Sequence, residues 1–134
     1  MKELEEFINN WIETKSKTKQ AFTEIYDHLK TLEDTVLDFN ARPKVSYSLR
    51  PRHNSQKKRS LFAMVDVIDD DPDDRWLSVC FYGEMITDPE ETGDLIPEGL
   101  LGEDGYCFDL YEYDKDGIEY LKQRLSQAHK NAQE

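Results

Sequence analysis

Three β-prone runs between Ser60 and Tyr113 constrain the fold most. They read Leu61-Phe-Ala-Met-Val-Asp-Val-Ile68, Trp76-Leu-Ser-Val-Cys-Phe-Tyr82 and Tyr106-Cys-Phe-Asp-Leu-Tyr-Glu-Tyr113. Val, Ile, Phe, Tyr and Trp suit a pleated, half-buried surface, so each run predicts a strand. The first two are joined by Asp69-Asp-Asp-Pro-Asp-Asp74, whose Pro and Asp residues suit a tight turn, and this makes them a hairpin. A fourth strand is predicted over Lys44–Arg50, where Val45, Tyr47 and Leu49 alternate with polar residues between Pro43 and Pro51. The segment Val36-Leu-Asp-Phe39 is too short to assign between edge strand and connector.

Helical periodicity frames these strands. Leu4, Phe7, Ile8, Trp11 and Ile12 lie on one helical face, and Ala21, Phe22, Ile25, Tyr26, Leu29 and Leu32 on another. The polar stretch Thr14–Lys19 interrupts the stripe, which fits two helices or one long helix with a polar middle; two is the favoured reading, with Ser16 or Thr18 as the expected cap of the second. A last helix opens at Asp114 or Asp116 and buries Ile118, Leu121, Leu125 and Ala128. Helices at both ends and strands in the middle predict an α+β fold. The expected form is a two-layer sandwich with a four-stranded, mainly antiparallel sheet and N- and C-terminal helices on one face. At 134 residues the chain fits one domain: a helical part over 1–33, a sheet over 44–113 and a C-terminal helix over 114–132. The order of elements looks like that of many small bacterial domains, a likeness of layout that carries no residue across.

The segment 83–105 reads as a long acidic loop. Asp88-Pro-Glu-Glu-Thr-Gly93 suits a single capped helical turn. Beyond it, Pro97, Gly99 and Gly102 oppose regular structure, while Leu95, Ile96, Leu100 and Leu101 are expected to pin the loop to the body.

Charge is unevenly spread over a net −12. Residues 44–60 hold six cations and no acid, whereas 66–116 hold eighteen acids against Arg75 and Lys115. An acidic surface for a partner is therefore expected at Asp70, Asp71, Asp73, Asp74, Glu90, Glu91, Asp94, Glu103 and Asp104. Arg50, Arg52, Lys57, Lys58 and Arg59 form the candidate patch for an anionic partner, with internal pairing to the acidic turn as the favoured reading. Tyr82, Tyr111 and Tyr113 are candidates for an exposed aromatic face.

No phosphate-cradling glycine loop, nucleophile motif, cofactor fingerprint or EF-hand spacing is present, so no catalytic residue, cofactor or metal is assigned. A binding or regulatory protein that engages a protein partner through acidic and aromatic surface is the expected function, with nucleic-acid mimicry as its extreme form. The alternatives are a metal-dependent hydrolase built on Asp109 and the loop carboxylates, or an anion-binding domain using residues 50–59. Net negative charge disfavours nucleic acid as a partner. A homo-oligomer contact through the Trp11 helix is the other association considered. No apolar run approaches a membrane span and the N-terminus does not read as a signal peptide, which points to the cytoplasm. Cys80 and Cys107 are accordingly expected to be buried free thiols, a disulfide requiring their strands to be neighbours in matching register.

Overall fold

The structure, a computed structural model, describes residues 2–134. The helices are α1 (Lys2–Asn10), α2 (Thr18–Lys30) and α3 (Lys115–Asn131), and the strands β1 (Thr35–Arg42), β2 (Ser46–His53), β3 (Met64–Ile68), β4 (Trp76–Tyr82), β5 (Asp94–Leu100) and β6 (Glu103–Leu110). All strands join one antiparallel sheet in the order β1-β2-β3-β4-β6-β5. The α+β reading stands, and the expected four strands become six.

Both additional strands are edges. The apolar fragment Val36–Phe39 extends to eight residues because β1 pairs with β2 along its whole length, from Thr35–His53 to Arg42–Ser46. In β5, Pro97 and Gly99 act as sequence breakers. The chain absorbs them in an irregularity between Ile96 and Leu100, with Glu98 at φ 56°, and still pairs with β6. Leu100 alone of the four aliphatics is fully buried; Leu95, Ile96 and Leu101 are exposed, so they do not pin this segment. Nor is Asp88–Gly93 a helical turn. The Asp88 carbonyl accepts from Glu91 N–H (3.0 Å) and its carboxylate from Gly93 N–H (2.9 Å) and from the Tyr120 hydroxyl, which ties the turn to α3.

Alternation sets the core. Leu49, Val65, Val67, Leu77, Val79 and Phe81 have no exposed surface, and they share one cluster with Leu4, Phe22, Ile25, Leu29, Ile118 and Leu125 of the helices. Residues between them on the strands, such as Met64, Asp66, Ile68, Trp76, Ser78 and Cys80, are only half-buried. One sheet face thus carries the core and the other remains partly open. Trp11 is 3% exposed and packs in cis against Phe7 and Phe22. Neither Ser16 nor Thr18 caps α2. The Glu13 carboxylate reaches over instead and accepts from Lys19 N–H (3.2 Å) and Gln20 N–H (2.9 Å).

Cys80 and Cys107 are directly opposed across β4 and β6 and are joined by a disulfide. The expectation of free thiols is overturned, because the register condition that a bridge needs is met.

Candidate functional site

The nine predicted acids fall in three places. Asp70, Asp71, Asp73 and Asp74 lie exposed on the β3–β4 turn, which is tightened by Asp73 N–H donating to Asp71 Oδ1 (3.0 Å) and Asp74 N–H to the Asp71 carbonyl (3.0 Å). Glu103 and Asp104 sit at the opposite end of the sheet, since Gly105 pairs with Tyr82 at the far end of β4. A strand of this length separates the two ends by about 20 Å. Glu90 and Glu91 precede β5, and Asp94 opens it opposite Cys107. The turn acids and the Glu103–Asp104 pair therefore lie at opposite ends of the sheet.

The acid that begins the β3–β4 turn has a different role. Asp69 is buried, where its Oδ1 meets Arg75 Nε at 2.6 Å and its Oδ2 accepts Lys44 N–H at 2.7 Å. The Arg75 guanidinium in turn lies over the rings of Phe7, Trp11 and Tyr47 at 5.2, 5.5 and 5.4 Å. This pair fastens the acidic turn to the β1–β2 turn and to α1.

Beside the acidic turn the partly open face carries aromatic surface. Trp76, opposite Ile68, packs against Tyr111 with ring centroids 4.8 Å apart and the planes tilted by 31°, and Tyr111 is 61% exposed. Of the three tyrosines expected there, only Tyr111 is open. Tyr82 is buried beneath the Arg59 guanidinium (4.0 Å), and Tyr113 is half-buried with its N–H on the Ser16 carbonyl (2.7 Å). Alternation along β4 reveals which face Trp76 takes; its exposure depends on what lies above that face, which alternation does not encode.

The middle of this face is polar. Paired positions put Asn40, Ser48, Asp66, Ser78 and Asp109 in one row across five strands. Asp66 Oδ1 is buried without a hydrogen-bond partner. Burial pushes the Asp66 carboxyl above its ordinary 3.8, against the opposing pull of Ser48, Arg50 and Arg42. The native state thus holds this proton at pH values where the unfolded chain has already released it. Its contribution is full below pH 3.8 and is lost as pH rises through the raised native value. Asp66→Asn, which cannot ionise, should flatten that decline in urea unfolding measured from pH 3.5 to 7, and a decline of unchanged slope would assign it to another group.

The basic segment makes several separate contacts. Arg59 pairs internally with Glu84 and Glu103, each at 2.7 Å, and not with the acidic turn. The guanidinium raises its own pKa by bonding to Glu103 and holds the Glu103 carboxyl below the usual range. Lys57 and Lys58 donate backbone N–H groups to Glu134 (3.1 and 3.4 Å). Arg52 lies 3.8 Å from Asp38, and Arg50 Nε donates to Ser48 Oγ (3.0 Å). No protein-family model, curated protein or solved structure matches this chain.

A cleft of about 280 Å³ opens beside the start of α3 and brings Glu90, Asp109, Asp114 and Asp116 to its walls. Among the described residues no three His, Cys, Asp or Glu side chains converge closely enough to hold a metal ion.

Proposed function

We propose that this chain is a non-enzymatic binding protein that engages a protein partner through the acidic, aromatic end of its open sheet face. A two-layer arrangement, with helices over one face only, is the architecture that leaves this surface free. The observation that carries the reading is the Trp76–Tyr111 pair beside Asp70, Asp71, Asp73 and Asp74, four carboxylates with no cation within 4 Å among the described residues. Aromatic rings supply rigid contact area, and their faces attract guanidinium and ammonium groups. Neighbouring carboxylates pair with the same groups. Arginine-bearing protein surface therefore fits better than an uncharged one. The separation of the turn acids from Glu103 and Asp104 at the other end of the sheet favours such a local contact over mimicry of an extended phosphate backbone.

Titration with a blocked Arg-Gly octapeptide, followed by tryptophan emission, tests the reading. Tyr111→Ala should weaken binding about fivefold at constant net charge through loss of the stacking face. Changing the four turn aspartates to Asn should remove most of the salt dependence. Binding that ignores Tyr111→Ala and follows net charge alone would reduce the site to non-specific attraction.

No helix among the described residues is long and apolar enough to cross a membrane.

A further inference from the structure

The two edges of the sheet are built differently. At the β5 edge Pro97 lacks an N–H, the ladder is irregular between Ile96 and Leu100, and Asp94 and Glu98 add charge. Each of these features opposes pairing with another strand. At the other edge, β1 runs for eight residues in unbroken register with β2 and contains no proline or lysine. Its second side faces no strand.

The ladder shows which groups that side offers. Asn54 N–H donates to the Asp34 carbonyl (2.8 Å), in phase with the pairs Val36–Arg52, Asp38–Arg50, Asn40–Ser48 and Arg42–Ser46. On β2, odd-numbered Val45 and Pro51 instead accept from the opposite side, from Asp69 and Phe62. Even-numbered residues of β1 thus direct their N–H and C=O toward β2. Thr35, Leu37, Phe39 and Ala41 direct theirs outward. The side chains of these four residues lie on the face that α1 covers, where Phe39 meets Phe7 at 5.7 Å.

A groove of about 310 Å³ runs alongside, floored by Phe39, Ala41 and Tyr47 and walled by Glu3, Glu6 and Asn10 of α1. Its one cation, Arg75, is already paired with Asp69. Neither Glu3 nor Glu6 has an ion-pair partner among the described residues.

We propose that the β1 edge and this groove form a second binding site, for an extended peptide segment that adds as a seventh strand and places lysine or arginine in the groove. The edge residues supply main-chain donors and acceptors. Side chains of the added strand alternate, so every second one enters between α1 and the sheet. There an aliphatic stem lies on Phe39 and Tyr47 while the charged head reaches Glu3 or Glu6. A second copy of the chain fits less well. Antiparallel β1–β1 pairing would bring Thr, Leu, Phe and Ala to the groove, supply no cation for the two glutamates, and bring together two chains of charge −12.

The test uses a fluorescein-labelled, terminally blocked octapeptide of alternating Lys and Thr, with binding read by anisotropy. Ala41→Pro removes an outward N–H and leaves the β1–β2 ladder intact, so it should weaken binding about tenfold at an unchanged thermal midpoint. Glu3→Gln with Glu6→Gln should weaken it and flatten its salt dependence, whereas Asn in place of the four turn aspartates should not. On the unaltered protein, N-methylation of one alternate set of peptide amides should abolish binding and methylation of the other set should be tolerated. This second measurement holds even if Ala41→Pro perturbs folding. Absence of saturable binding, equal sensitivity to both methylation sets, or a concentration-dependent dimer that Ala41→Pro dissolves would each overturn the proposal, the last by giving the edge to a second copy.

Discussion

Arg75→Ala is expected to destabilise the fold by about 3–5 kcal/mol, the range for removing one partner of a buried ion pair. The side chains of Arg75 and Asp69 are only 14% and 3% exposed, and the Nε–Oδ1 contact is 2.6 Å. Truncation at 75 leaves the Asp69 carboxylate in an apolar surround with a single remaining donor, Lys44 N–H. It also removes the cation from the faces of Phe7, Trp11 and Tyr47, which hold α1 against the sheet. Urea unfolding measures the total, and Trp11 emission adds a local signal: it should shift to the red as α1 loosens. The double variant Asp69→Asn, Arg75→Met should recover much of the loss, since replacing both charges removes the uncompensated one. A loss below about 1 kcal/mol for Arg75→Ala would place this pair with ordinary exposed ion pairs.

The same two residues show where reading the sequence succeeds and where it stops. Asp69 begins a run of five aspartates interrupted only by Pro72, and in sequence all five look like a solvated hairpin tip. Four are; the first is buried. The difference arises because Asp69 N–H bonds the Val45 carbonyl (3.0 Å) and so lies under the β1–β2 turn, a long-range contact that local pattern does not carry. Periodicity located α1, α2 and α3, whose buried residues recur every three to four positions, and the central strands β2, β3, β4 and β6, but β6 runs over Glu103–Leu110 instead of Tyr106–Tyr113, and Ile12 lies beyond α1 and is 82% exposed. Edge strands gave weaker signals. β1 has exposed Asp38, Asn40, Ala41 and Arg42, and β5 includes a proline and a glycine, so pairing with a neighbour decides what propensity does not. At the candidate site the acids were legible as residues, and their separation along the sheet was not, because strand order and register fix it. Trp76 and Tyr111 illustrate the same limit: they are 35 positions apart and meet only because β4 and β6 are neighbours.

That neighbouring of β4 and β6 also sets the second large effect. Breaking the Cys80–Cys107 bridge should lower stability by about 3–4 kcal/mol, from the entropy restored to an unfolded chain no longer closed across a loop of this size. The two cysteines are 27 residues apart, and the segment between them contains the whole of β5, the more irregular edge of the sheet. In Cys80→Ala, Cys107→Ala the β5–β6 hairpin loses its covalent tie to β4, so amides of β5 should exchange faster than those of β3. Intact-mass analysis checks the bond itself. Alkylation after unfolding should add nothing without reductant and two adducts with it. Dithiothreitol should lower the urea midpoint of the unaltered protein and leave that of the double variant unchanged. Two alkylated thiols in the unreduced, unfolded chain would show that the bridge does not form in solution, and the pair would then return to half-buried free thiols. A bridge that persists in the protein as isolated under acid quench favours an oxidising compartment over the cytoplasm, where thiol reductants keep such pairs open.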